Sequence, residues 1–202
     1  MKVHVISDVI NDLSFEALVK FYSTLETCVD AAGNCVIEPT LVYIDSVGGD
    51  AHLISPIIRL LETHQSRLHL IYGASAAVDI FCFARCPKEV GFACEVMIHK
   101  AETRLPYPTN GRNKDTVKAI KASYKDLEAF RGAYYLPLMT PAQSSAYKKG
   151  NDVVFTPTEF RTFLDKANDV EFQHSFTYGN DEATAPDTGD CSDVGGEIPE
   201  AI

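Results

Sequence analysis

Three short segments carry residue types suited to attack on a carbonyl carbon. Ile44–Asp50 reads IDSVGGD, and its consecutive glycines let backbone approach a ligand closely and present N–H groups to it. Gly73–Phe81 reads GASAAVDIF. A small-residue run entering a helix can seat a nucleophile, because the free amides and partial positive charge of the helix end favour a developing oxyanion. Val96-Met97-Ile98-His99 puts an imidazole at the end of an apolar stretch, where it can act as a general base. Each segment also has a plain structural use: a tight turn, close helix–sheet packing, an edge histidine.

The elements around these segments must bring them together. HVISDV reads as a strand. Asp12 or Ser14 can cap a helix over residues 15–32, with Leu18, Phe21, Leu25 and Val29 at helical spacing. After the turn AAGNCVIEP, the run TLVYID is a β-rich strand and residues 51–64 read as a helix. RLHLIYG is the next strand, ASAAVDIFCFARC an apolar helix stopped by Pro87, and VGFACEVMIHK two short, closely joined strands. Strands alternating with helices imply βαβ units and largely parallel pairing. Residues 100–114 form a Pro/Gly-rich loop, and a long helix is expected over 115–135, with Pro137 beyond its end. MTPAQSSAYKKG reads as a short capped helix, and NDVVFTPTEFRTFL as a strand followed by a helix starting at Thr156 or Thr158.

Composition narrows the function class. The 202 residues suit one domain with a sizeable core, and no apolar run is long enough for a membrane span. The N-terminus lacks the pattern of a secretory signal, so a cytoplasmic location is expected. The net charge is −10, but residues 179–202 carry seven acidic side chains and no Lys or Arg, so subtracting that −7 leaves −3 for the rest. A body near neutrality argues against a nucleic-acid surface. Residues 171–202 are expected to be an acidic, disordered tail on a domain spanning 1–170. Cys82, Cys86, Cys94 and His99 could be imagined as a metal site, but there is no CxxC knuckle, and core cysteines are the better reading. No cofactor is expected.

Taken in order, Asp45-Ser46-Val47-Gly48-Gly49-Asp50, Gly73-Ala74-Ser75-Ala76-Ala77-Val78-Asp79 and Val96-Met97-Ile98-His99 resemble the proteolytic subunit of the Clp-protease family. That family carries N-S-P-G-G-S, then G-x-A-A-S-M-G, then V-M-I-H. The similarity covers most of residues 3–165 and is thin outside the motifs. It implies an α/β fold of Clp/crotonase-like repeated ββα units with a long protruding helix. It also implies a serine endopeptidase acting on peptides or unfolded proteins, assembled as a heptameric or stacked-ring homo-oligomer.

By this resemblance Ala77 occupies the nucleophile position where serine is expected, His99 is the base, and Gly49 and Val78 supply the oxyanion-hole amides. The third triad member falls on Asp152, or on Lys148 if the alignment slips by four residues. Ser75, two residues before Ala77, is the nearest hydroxyl; it would be the nucleophile if the motif were shifted, or else a cap for the helix from Ala76. With alanine at 77 the chain is expected to be an inactivated peptidase. The alternatives are a natural pseudoprotease serving as a binding or assembly ring, and a crotonase-type acyl-CoA enzyme. Val47 in place of the family's proline, and KAETRLPYPTNGR in place of its Gly-rich strand, weaken the case for docking to an ATP-driven unfoldase.

Overall fold

The computed structural model describes residues 1–25, 27–29, 35–100 and 114–169. Residues 101–113 of the loop expected over 100–114, and the acidic tail at 171–202, lie outside the described residues, while Lys114 already belongs to the helix that follows. The chain runs β1 (Lys2–Ile10), α1 (Asp12–Ser23), β2 (Thr27–Val29), β3 (Cys35–Ile37) and β4 (Thr40–Gly49). It continues through a 3₁₀ turn (Ala51–Leu53), α2 (Ile54–Thr63), β5 (Arg67–Ala74), α3 (Ala76–Phe83) and β6 (Lys88–Ile98). The last four elements are α4 (Lys114–Tyr135), α5 (Pro141–Lys148), β7 (Val153–Phe155) and α6 (Pro157–Asp169).

The mixed α/β class is as expected from the alternation of strands and helices. A five-stranded sheet has the order β1-β4-β5-β6-β7, with the first four strands parallel and β7 antiparallel to β6. In β4, Thr40, Val42, Ile44, Ser46 and Gly48 alternate with more exposed neighbours, the period-two signature of a strand buried on one face. Val3, Val5, Val47, Ile71 and Val154 remain exposed. Helices α1, α3 and α6 pack on the sheet, and α2 packs on α3. No helix among the described residues is long and apolar enough to cross a membrane.

Two boundaries differ from expectation. The first helix is capped by Asn11, not Asp12 or Ser14. The Asn11 side chain accepts from the Ser14 amide at 3.0 Å, and the Ser14 hydroxyl accepts from the Asn11 amide at 2.9 Å. The helix then stops at Ser23 rather than running to residue 32, because Thr27–Val29 pairs antiparallel with Cys35–Ile37. β-Branched Thr27, Val29, Val36 and Ile37 suit that hairpin better than a helix. The two short strands expected in VGFACEVMIHK are one strand with an interruption: Leu70 pairs with Val90 and Tyr72 with Glu95, so residues 91–94 stand against Ile71 alone.

The C-terminal half fixes β7 and what precedes it. Thr140 and Gln143 form a reciprocal cap on α5, and Thr156 and Glu159 do the same for α6. Phe155 of β7 packs against Phe160 and Phe163 of α6, with centroids 5.8 and 5.3 Å away. All three rings are buried, and each contributes about 1.5–3 kcal/mol of transfer free energy. β7 is therefore pinned against β6 although it has only three residues.

Candidate active site

The site lies where parallel strands end, the usual position for ligands in α/β sheets. β4 ends in Gly48-Gly49, β5 in Ala74 and β6 in Ile98, and β7 begins at the same edge. Ser75 is the single residue between β5 and α3. Its backbone has φ +54° and ψ −125°, a combination normally left to glycine. The Ser75 amide donates to the Met97 carbonyl at 3.0 Å, and the Ser75 carbonyl accepts from Val78 at 3.0 Å and Asp79 at 3.2 Å. Its backbone is thus held from both sides. Its half-buried side chain makes no capping bond to the helix.

The glycine pair backs onto this turn. Gly48 has φ +88°, and a Cβ there would stand 2.5 Å from the Ala74 oxygen, 2.8 Å from the Ser75 Cβ and 2.9 Å from the Ala76 nitrogen. Only a residue without a side chain permits that approach. The Gly48 amide donates to the Ser46 hydroxyl at 3.1 Å, which itself donates to the Asp8 carbonyl at 2.6 Å. The loop is therefore braced from β1. Gly49 meets β1 still more closely, its built Cβ falling 2.1 Å from the Ile10 oxygen.

His99 and Asp152 come to the same edge by register. Ala74 pairs with Met97, so His99 lies just beyond the strand end that holds Ser75. Ile98 pairs with Val153 in the antiparallel ladder, and one further step sets His99 opposite Asp152. His99 is half-buried and Asp152 exposed. No hydrogen bond joins the side chains of Ser75, His99 and Asp152. Lys148 is the last residue of α5, and its carbonyl accepts from the Lys100 ammonium at 2.9 Å. Asp152, not Lys148, is the residue opposite His99.

Ala77 and Val78 are placed otherwise than the resemblance implied. Ala77 is fully buried in the first turn of α3, in the core cluster. A hydroxyl there would face apolar packing rather than a substrate. The Val78 amide is already spent on the Ser75 carbonyl, so it is no free oxyanion donor. The first free amides of α3 are those of Ala76 and Ala77, which have no intrahelical acceptor. A sequence signal for Ser75 does exist: small residues stand two before and two after it, Gly73 and Ala77, the pattern of a serine on a sharp strand-to-helix turn.

Behind the turn is a cluster that the sequence did not reveal. Asp79, buried in α3, accepts from Arg131 Nε at 3.0 Å and from the Tyr135 hydroxyl at 2.5 Å, both on α4. Burial pushes the Asp79 carboxyl up, and the Arg131 charge partly offsets this. Burial alone would lower the Arg131 pKa, but Asp79, Tyr135, Tyr147 and Glu128 outweigh it and raise it. The two upward shifts pull in opposite senses for an ion pair; the charged guanidinium is the firmer of the two, since it is ringed by acceptors.

Three buried cysteines, Cys82, Cys86 and Cys94, are chemically quiet. Burial pushes the Cys82 thiol up to about 12 and the Cys86 and Cys94 thiols to about 11, which keeps them protonated and poor nucleophiles. Among the described residues, no group of three or more His, Cys, Asp or Glu side chains is placed to hold a metal ion. A cavity of about 820 Å³, lined by Cys86, Lys88, Phe130, Tyr134, Arg161 and Leu164, opens beside the start of β6, at the opposite end of that strand from His99. Its size does not make it the reaction centre, because none of Ser75, His99 and Asp152 lines it. No protein-family model matches the chain, and no curated protein matches it.

Proposed function

We propose that this chain is a serine hydrolase subunit with Ser75 as nucleophile, His99 as general base and Asp152 as the residue that orients the imidazole. The observation that carries the proposal is the Ser75 backbone: a positive φ at a strand-to-helix turn, against a glycine pair and beside the strand end that bears His99. Resemblance to the Clp-protease proteolytic subunit supports peptides or unfolded proteins as substrate and a Clp/crotonase-like fold. The proposed nucleophile, Ser75, stands two residues before the position the resemblance implies, Ala77, which is buried.

The chemistry follows from the groups present. His99 takes the Ser75 proton as Oγ bonds to the peptide carbonyl carbon, and the carbonyl π electrons move to oxygen. The Ala76 amide and that of Gly49 are the proposed donors to this oxyanion. Collapse breaks the C–N bond, His99 returns the proton to the leaving amine, and an acyl-enzyme remains. Water, deprotonated by His99, then releases the acid and restores the Ser75 hydroxyl. Each step needs only these side chains and backbone amides.

A serine-directed fluorophosphonate is expected to label the chain at Ser75, located by peptide mapping, and to fail on His99→Ala. Labelling at another serine, or equal labelling of the His99→Ala variant, would remove the proposal. Ring assembly belongs to the same reading. The front half of α4 exposes Lys118, Ala119, Lys121, Ala122 and Ser123, and the outer sheet face exposes valines. Light scattering at micromolar concentration is expected to return a multiple of the 22.2 kDa chain mass, and a monomer mass would contradict it.

A further inference from the structure

We infer that Asp79, Arg131, Glu128 and Tyr147 form a positioning network that keeps Ser75 and Asp152 in mutual register. The inference rests on the serine hydrolase reading above. At one end, Asp79 donates its amide to the Ser75 carbonyl and offers its carboxylate to Arg131 Nε. Arg131 Nη1 donates to Glu128 Oε1 at 2.6 Å. The other oxygen of that carboxylate accepts from the Tyr147 hydroxyl of α5 at 3.2 Å. Tyr147 closes the end of α5: its carbonyl accepts from Gly150 at 2.9 Å, and Asn151 donates to Ala146 at 3.0 Å. Asp152 is the next residue. His99 is tied to the same place, since its neighbour Lys100 donates to the Lys148 carbonyl.

The energetics favour a geometric role over a stabilising one. Apolar packing often holds helices as well as a buried ion pair does, or better. Here the buried guanidinium also leaves Nη2 without a partner among the described residues, and an incompletely satisfied network is worse than an apolar core. What the planar guanidinium supplies is direction, because its donors lie in a rigid fork. The fork fixes the angle between α3, which begins at the nucleophile, and the α4–α5 pair that leads to Asp152.

Tyr147→Phe tests this with the least disturbance, since it deletes one hydroxyl and leaves the ring. Hydrolysis of a fluorogenic peptide is expected to lose about tenfold in kcat with KM unchanged, as small misplacements of reacting groups do. In an Asp152→Ala background the same change is expected to cost nothing further, because the group it positions is gone. An equal loss in both backgrounds, or no loss in either, overturns the network's role. Ser75→Ala serves as the parallel control. If that variant retains full activity, the hydrolase reading itself falls and this inference falls with it. If it is inactive while Tyr147→Phe is unimpaired, only the network is refuted.

Discussion

Ser75→Ala is expected to lower kcat/KM for peptide hydrolysis by about 10⁶-fold, the scale on which a lone nucleophile is lost, and to abolish phosphonate labelling. Ala77→Ser is expected to do the reverse of what the family resemblance implies. It should add no activity and should lower stability by about 1–3 kcal/mol, because its hydroxyl would enter a fully buried site with no assigned partner. Rates with a fluorogenic peptide and urea midpoints for both variants decide the matter. A gain of activity in Ala77→Ser with no loss in Ser75→Ala would return the nucleophile to position 77 and refute the reading from backbone geometry.

Gly48→Ala should damage both fold and site. The new Cβ would meet the Ala74 oxygen at 2.5 Å and the Ala76 nitrogen at 2.9 Å, both backbone atoms that no rotamer change can move. The positive φ of +88° adds strain of its own. Together these place the cost at roughly 2–4 kcal/mol, among the larger single-residue effects. The atoms it meets belong to the turn that carries Ser75, so the labelling rate should fall even at temperatures where the variant is folded. Gly132→Ala is the matched control. Its Cβ would find only a Leu136 methyl at 3.9 Å, in the last turn of α4, where alanine is favoured over glycine by at most about 1 kcal/mol. A Gly48→Ala chain as stable and as reactive as the parent would show that the close approach of the two turns is not required.

Much of the frame was legible because period and punctuation report local chemistry. The apolar runs around Val42, Leu70 and Ile98 marked three of the parallel strands; a capped helix within MTPAQSSAYKKG was legible without its cap residue, which is Thr140, and of the two starts left open for the last helix, Thr156 and Thr158, the cap is Thr156. Residues 27–29 misled, since Val29 fits helical spacing from Leu25 as well as a strand, and only pairing with residues 35–37 decides between them. His99 and Asp152 were readable as candidates, but what sets them opposite one another is a ladder between segments more than fifty residues apart. Ser75 was harder. Gly73-Ala74-Ser75-Ala76-Ala77 admits a sharp turn at either of two places, and the sign of one φ angle, invisible in residue identity, selects between them. The partner of Asp79 was not legible at all, because nothing in the residues around it points to Arg131, 52 residues away.

The conformation of Ser75 also bears on how this chain can change over generations. A non-glycine residue held at φ +54° costs on the order of 1–3 kcal/mol, against a total stability of about 5–15 kcal/mol for a typical protein. Glycine would occupy the same turn without that cost, and it carries no hydroxyl. Selection for stability alone therefore favours a change that would remove the proposed nucleophile. Asp8 and Gln65 also hold positive φ, and glycine at either would relieve strain with no loss of a proposed reacting group; under the serine hydrolase proposal only the change at Ser75 sets stability against chemistry.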